Sequence, residues 1–484
     1  MASKFLLDRR SFLGGVSALG LTSTMSSARA DASLLTVATR QIEVKKRAAT
    51  VYGITGVDGR SGLIAQEGDR FRGRIINGTT DPLVMHWHGQ TQATAEQDRS
   101  RPRGGELAAG QGDDHDFLLT PGTHWMHAHQ LTEQQLLAAP MIAREKDAGD
   151  VQDVVVMLHD FAFRTPTEIL AELGGSAAHG GHGAQSSLQP PAASRVMDHS
   201  QMGQGASSGS PMQHRMAVHA NDVRYDAYLA NDRTLDDPEV VRVERGGKVR
   251  LRLINGATAT VFFIDTGDLP AACIAVDGTA CQPYSGRRFP LAQGQRIDLL
   301  VTIPLVGGAF PILAQVEADP KRTGILLATA GAQVRRIADG ATQVAAHADL
   351  SLDFALRARD PLPQKLVSRS FRLTLGEEAG YRWTINGRMH GEHTPLEAKV
   401  GERVEIMFMN PTSMMHPMHL HGHHFQVVGS RAGRFAGPIR DTVIVPPHTP
   451  VIVAVDLDKA GDWYLHCHHL YHMATGMMTE LRVT

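Results

Sequence analysis

Cysteine is nearly absent, with 3 residues in a chain of 484. That is too few for a disulfide framework; Cys273 and Cys281 are a candidate disulfide in an oxidising compartment. An excess of either charge is absent too: 48 Lys and Arg stand against 50 Asp and Glu, a net charge of −2. This excludes a strongly basic nucleic-acid binder and a polyacidic tail as the main theme. No apolar run reaches the ~18 residues of a membrane-crossing helix, so no stable membrane anchor is expected. Helical patterning is scarce. One helix is expected from Pro166 to Leu173, with Thr165 and Glu168 as a capping box and Gly174-Gly175 as its stop.

What the chain has in quantity is histidine, 25 residues. Their places follow a repeat. Three segments run from a Gly to an Asn nine residues on, with polar and apolar positions alternating between: Gly68 to Asn77, Gly246 to Asn255 and Gly401 to Asn410. Alternation of that length reads as a half-buried strand. A second pattern closes each unit, at Gly122, Gly308 and Gly461. The length suggests about three domains, and three copies of a strand-rich unit agree with it. The expectation is an all-β chain of sandwiches or Greek-key barrels.

Nine and eleven residues after the Asn of the outer units stand His86 and His88, and His419 and His421. Five and seven residues after their closing Gly stand His127 and His129, and His466 and His468. The middle unit has Ile264, Thr266, Leu313 and Gln315 at these offsets. Residues i and i+2 of a strand share a face, so each pair aims two imidazoles at one place. Four pairs at matched offsets supply eight imidazoles to a cleft between the outer units. Eight nitrogens exceed one metal ion and suit three, two with three ligands each and one with two.

Alternation sends Cys467 to the face opposite His466 and His468. With His416, His472 and Met477 it makes two imidazoles, a thiolate and a weak axial thioether, the donor set of a blue-copper electron-transfer site. By the offsets, the positions equivalent to Cys467 are Ala128 and Ala314. One covalent path through Cys467 thus joins a mononuclear site to the cluster.

His86-Trp87-His88-Gly89, Trp125-Met126-His127-Ala128-His129, His416-Pro417-Met418-His419-Leu420-His421-Gly422 and His466-Cys467-His468 to Met477 resemble the four copper signatures of multicopper oxidases. The segments 70–77, 159–164 and 225–229 resemble the bacterial laccase and copper-tolerance branch. The resemblance implies three cupredoxin-like domains, at 31–150, 151–345 and 346–484, and four copper ions. His86 and His419 would hold the type 2 copper. His88, His127 and His468 would hold one type 3 copper, and His129, His421 and His466 the other. The implied reaction couples one-electron oxidation of a small phenolic or aromatic donor, or of Cu(I), to four-electron reduction of O2 to water. Two other readings are a periplasmic copper-sequestering protein on the same fold and a copper nitrite reductase.

The chain departs from that pattern in places. Asp98 is the candidate proton-relay acid, with Glu96 second, and Met473 stands where relatives often carry an acid. Met414 and Met415 precede His416 and read either as a source of sulfur for Cu(I) or as core. Met407, Met409 and Met478 read as packing residues, and His115 and His124 as structural or surface residues. The stretch 174–216 is rich in Gly, Ser, Met and His, and reads as a flexible linker or a copper-collecting segment. At the N-terminus, Asp8-Arg9-Arg10-Ser11-Phe12-Leu13, an apolar stretch to Leu21 and Ala28-Arg29-Ala30 resemble a twin-arginine export signal of residues 1–30. It implies the twin-arginine translocase as a partner during export and the bacterial periplasm as destination.

Overall fold

The computed structural model describes residues 33–98, 100–101, 104–178 and 218–484. The export-signal reading of residues 1–30 lies outside them, as do residues 179–216 of the Met/His-rich stretch. Among the described residues no helix is long and apolar enough to cross a membrane.

Each repeat strand occupies the middle of a sheet. Arg70–Asn77 pairs parallel with Ser33–Val44 and antiparallel with Gly112–Leu118. Lys248–Asn255 lies in the same way between Gln152–Phe161 and Arg296–Thr302, and Arg403–Met409 between Arg369–Glu378 and Val451–Asp456. The terminal Asn does one job three times. Asn77 Nδ2 donates to the Asp81 and Leu107 carbonyls, Asn255 to Thr260 and Leu291, and Asn410 to Met414 and Val445. Its Oδ1 accepts the N–H two residues on, from Thr79, Ala257 and Thr412 respectively. A buried amide that satisfies three backbone groups where the strand ends explains why the repeat closes on Asn.

A second sheet in each unit is built round the closing strand: Gly122–Ala128, Ala309–Val316 and Gly461–Cys467. In the outer units it pairs antiparallel with the first histidine strand, His86 opposite His127 and His419 opposite His466. The middle unit corrects the sequence offsets. There the strand begins one residue after Gly308, so Ile264 faces Ala314 and Phe263 faces Gln315. The position matching Cys467 is therefore Gln315, not Ala314.

Among the described residues the one long helix spans Pro166–Ala178, past the expected stop. Thr165 and Glu168 cap it reciprocally, with Thr165 N–H donating to Glu168 Oε2 at 2.7 Å and Glu168 N–H to Thr165 Oγ1 at 3.3 Å. Gly174 does not take the left-handed conformation that ends a helix, so it costs only about 1 kcal/mol of helix propensity and the helix runs on. Cys273 and Cys281 lie buried in a hairpin as free thiols, with sulfurs 3.9 Å apart. One core runs through the middle and last units, round Phe262, Phe289, Trp383, Phe408 and Trp463; the first unit has its own, round Phe71, Trp87 and Phe117.

Candidate metal centre

The four histidine pairs converge between the first and last units, and none of the eight residues is more than 9% exposed. His86 Nε2 stands 3.1 Å from His419 Nε2. His466 Nε2 stands 3.1 Å from Nε2 of both His129 and His421. His88 Nδ1 is 3.4 Å from His127 Nε2, and His468 Nε2 is buried with no partner. The glycine that ends each His-x-His-Gly motif makes this approach possible. Gly89 and Gly422 have φ of 86° and 66°, and a Cβ would stand 2.2 Å from His124 Nδ1 in one case and 2.1 Å from Trp463 in the other.

The outward nitrogens fix the tautomers. His86 Nδ1 donates to Asp98 Oδ2 at 2.9 Å, His419 Nδ1 to the Asp441 carbonyl at 2.9 Å, and His466 Nδ1 to the Cys467 carbonyl at 2.9 Å. With the proton on Nδ1, each Nε2 presents a lone pair inward. His88 is reversed, since its Nε2 meets Asp441 Oδ1 at 3.1 Å and its Nδ1 faces the cluster. Burial keeps these imidazoles neutral. It lowers His86 to about 3 and holds His88, His129, His419, His466 and His468 well below their ordinary value. Facing lone pairs at 3.1 Å repel each other unless a cation lies between them. Neutral, inward-facing imidazoles that lack a proton donor are the environment a metal ion fits.

On the other face of the last histidine strand, Cys467 Sγ lies 3.7 Å from His416 Nδ1 and 3.8 Å from His472 Nδ1, and those two nitrogens are 3.2 Å apart. Burial pushes the thiol up, so it gives up its proton only to a metal. Met477 is fully buried, and its backbone joins the site: its N–H donates to the His472 carbonyl at 2.9 Å and its carbonyl accepts from Cys467 N–H at 3.0 Å. His416 Nε2 is held by Thr412 Oγ1 at 2.9 Å. The His472 ring lies between Trp383 and His469, with ring centroids 3.8 and 3.7 Å away.

Asp98 is buried and touches two cluster imidazoles, His86 and, at 3.3 Å, His421 Nδ1, whereas Glu96 is exposed. Burial raises the Asp98 carboxyl, but His86 and His421 outweigh it and hold it well below the carboxylate range. Sequence reasoning missed three further acids. Asp441 binds His88 and forms a buried pair with Arg296 at 2.6 Å. Glu133 Oε2 is 3.1 Å from His127 Nδ1, and burial raises its pKa. Asp222 approaches His469 Nε2 at 3.2 Å and His472 Nε2 at 3.5 Å. Glu133 carried a faint signal, lying four residues after His129; Asp222 and Asp441 carried none.

The remaining candidates are structural. Met414 and Met415 are buried in hydrophobic clusters, and Met473 and Met478 are buried beside Tyr464. His115 packs against Phe71 and Trp87 and lies 3.0 Å from Asp113. His124 is fully buried against Arg296, not at the surface.

Family models described as multicopper oxidase match residues 36–147, 154–334 and 363–484. Multicopper oxidase MmcO of Mycobacterium tuberculosis is 27% identical over 425 residues, which cover 86% of this chain and 80% of that protein. Copper resistance protein A of Escherichia coli is 24% identical over 620 residues, covering 98% of this chain and 99% of that protein. Among solved structures, the laccase from Botrytis aclada superposes with a TM-score of 0.74 at 20% identity, over 93% of this chain and 87% of that one.

Proposed function

The chain belongs to the multicopper oxidases, and from that premise we propose how its residues divide the work. His416, Cys467, His472 and Met477 hold the type 1 copper. His86 and His419 hold the type 2 copper, His88, His127 and His468 one type 3 copper, and His129, His421 and His466 the other. Bound there, copper supplies one-electron chemistry, with four donor oxidations coupled to O2 + 4H+ + 4e− → 2H2O. The domain limits follow the sequence reading, 31–150, 151–345 and 346–484.

One observation carries this reading: two sites of different donor chemistry are joined by consecutive residues. Cys467 belongs to one, and its neighbours His466 and His468 to the other. The strand's alternation places them back to back, so the path between the sites is a few covalent bonds and the hydrogen bond from His466 Nδ1 to the Cys467 carbonyl. Asp98, Asp441 and Glu133 orient the cluster imidazoles and keep their inward nitrogens unprotonated. Asp98 also handles protons on the way to oxygen, as a buried acid that, like Asp441, touches imidazoles of both the type 2 and type 3 sets. Near-complete burial keeps bulk water from the reacting atoms.

The electron donor is a small phenol or aromatic amine, or Cu(I), and the enzyme works in the bacterial periplasm after twin-arginine export. Neither copper storage nor nitrite reduction has an observation in its favour, since the ligand set has no gap. Replacing His466 with Ala tests the division of work. The variant should stay blue and be reduced by donor, yet remain reduced in air with O2 uptake lost. Normal turnover would contradict the assignment.

A further inference from the structure

The seam between the first and middle units holds one group that its apolar surroundings do not explain. In the strand Gln152–Phe161, residues Val155, Met157, His159 and Phe161 share one face, and that face is turned to the first unit. Met157 packs in a buried cluster with Trp125, Ala138 and Ile142, and Phe161 in another with Val44, Ala49 and Val51. His159 stands between them, 5% exposed, where an apolar side chain would complete the seam. Its Nδ1 and Nε2 are both buried, and neither has a hydrogen-bond partner. Burying a polar group without a partner is costly. Two such nitrogens on one ring need a partner that the neighbouring side chains do not supply. Burial lowers the pKa of the ring to about 4, so at neutral pH one nitrogen carries a free lone pair.

The donor beside it is a thioether. A Cβ on Gly256 would stand 2.9 Å from His159 Nε2 and 2.9 Å from Met157 Cε, so the ends of both side chains meet over one residue. Gly256 is not left-handed, and what glycine supplies there is room for the two of them. The strand is fixed in place: Met157 N–H donates to Asn231 Oδ1 at 2.8 Å, and its carbonyl accepts from Asn231 N–H at 2.9 Å. The surrounding charge favours a cation. The carboxylates of Asp232 and Asp160 each act on the ring more strongly than the Arg40 guanidinium, which is paired with Asp232 at 2.8 Å.

We infer that Met157 and His159 form a fifth copper site, which holds one Cu(I) in the seam between the first and middle units. An imidazole and a thioether are the soft donors that favour Cu(I) over divalent ions. The site is separate from the four coppers assigned above, since it uses none of their ligands. The ion is resident and exchanges no electron in turnover. It satisfies the buried imidazole and so stabilises the seam.

The test adds Ag(I), a redox-inert stand-in for Cu(I), to copper-loaded enzyme and counts copper and silver together after dialysis. Other histidines and methionines of the chain also take silver, so the readout is a difference. Met157→Leu and His159→Phe keep the bulk of each side chain, and each should retain one ion fewer than the parent. The double variant should also retain one fewer, because both donors hold the same ion. The blue band and O2 uptake with a phenol belong to the other sites and should stay at parental levels. Silver should raise the melting temperature of the parent more than that of either variant. A measurement on the parent alone covers a variant that fails to fold: in crystals soaked in Ag(I), anomalous scattering should place a metal ion between Met157 Sδ and the His159 ring. The inference is overturned if the single variants retain as many ions as the parent, if the double variant loses two, or if the crystals show no metal there.

Discussion

At the scale of single residues, the centre depends on which nitrogen of each imidazole carries its proton. Asp98, the Asp441 carbonyl and the Cys467 carbonyl take the Nδ1 protons of His86, His419 and His466, and Asp441 Oδ1 takes the Nε2 proton of His88. Asp441 is the acid with most to lose, because it also pairs with buried Arg296. Asp441→Asn should destabilise the protein by about 3–5 kcal/mol by leaving a buried guanidinium short of its partner. It should also lower copper occupancy at the cluster. Chemical unfolding and metal analysis check both, and a variant of parental stability would contradict the role. The imidazoles set a pH dependence as well. His86, His124, His423 and His472 are held at about 3 by burial, whereas in the unfolded chain they protonate near about 6.5. Between those values the unfolded chain binds more protons. The metal-free protein therefore keeps its full stability above about pH 6.5 and loses it as pH falls toward 3, by at most about 1.4 kcal/mol per group per pH unit. Urea midpoints measured near pH 7.5 and near pH 5 should show the lower value at the acid end. An equal or higher midpoint there would contradict it.

At the scale of strands and turns, much of the molecule was legible because its repeats are set by local rules. Period-2 alternation put His86 and His88 on one face and Cys467 opposite its neighbours, and Asn77, Asn255 and Asn410 marked the strand ends. Counting failed where a turn changed length. The Gly307-Gly308 turn starts the middle closing strand one residue late, which moved the equivalent of Cys467 to Gln315. Gly174 failed as a helix stop because a glycine ends a helix only by turning left-handed, and this one does not. Gly422 is the reverse case: its φ of 66° and its contact with Trp463 both demand the missing side chain. Gly422→Ala should cost about 1–3 kcal/mol in overpacking and displace His421, visible as loss of type 3 absorption before the blue band fades. Retention of both bands at parental stability would contradict it.

At the scale of the whole chain, the centre exists only where distant units meet. His88 and Asp441 are 353 residues apart, and Asp222 reaches His472 from the middle unit. Such contacts leave no mark on spacing, so the convergence of the histidine pairs could be read from the sequence while the acids beside them, and His469 stacked on His472, could not. The central claim is that one strand serves two copper sites through Cys467 and its neighbours. Copper content and absorption, measured together on the parent and on Cys467→Ser, test it most directly. The parent should hold the family's four copper ions and show blue and type 3 bands. The variant should lose one copper and the blue band, keep the type 3 band, and stop oxidising every donor. A Cys467→Ser protein that remained blue, or that lost all its copper with the fold intact, would contradict the account.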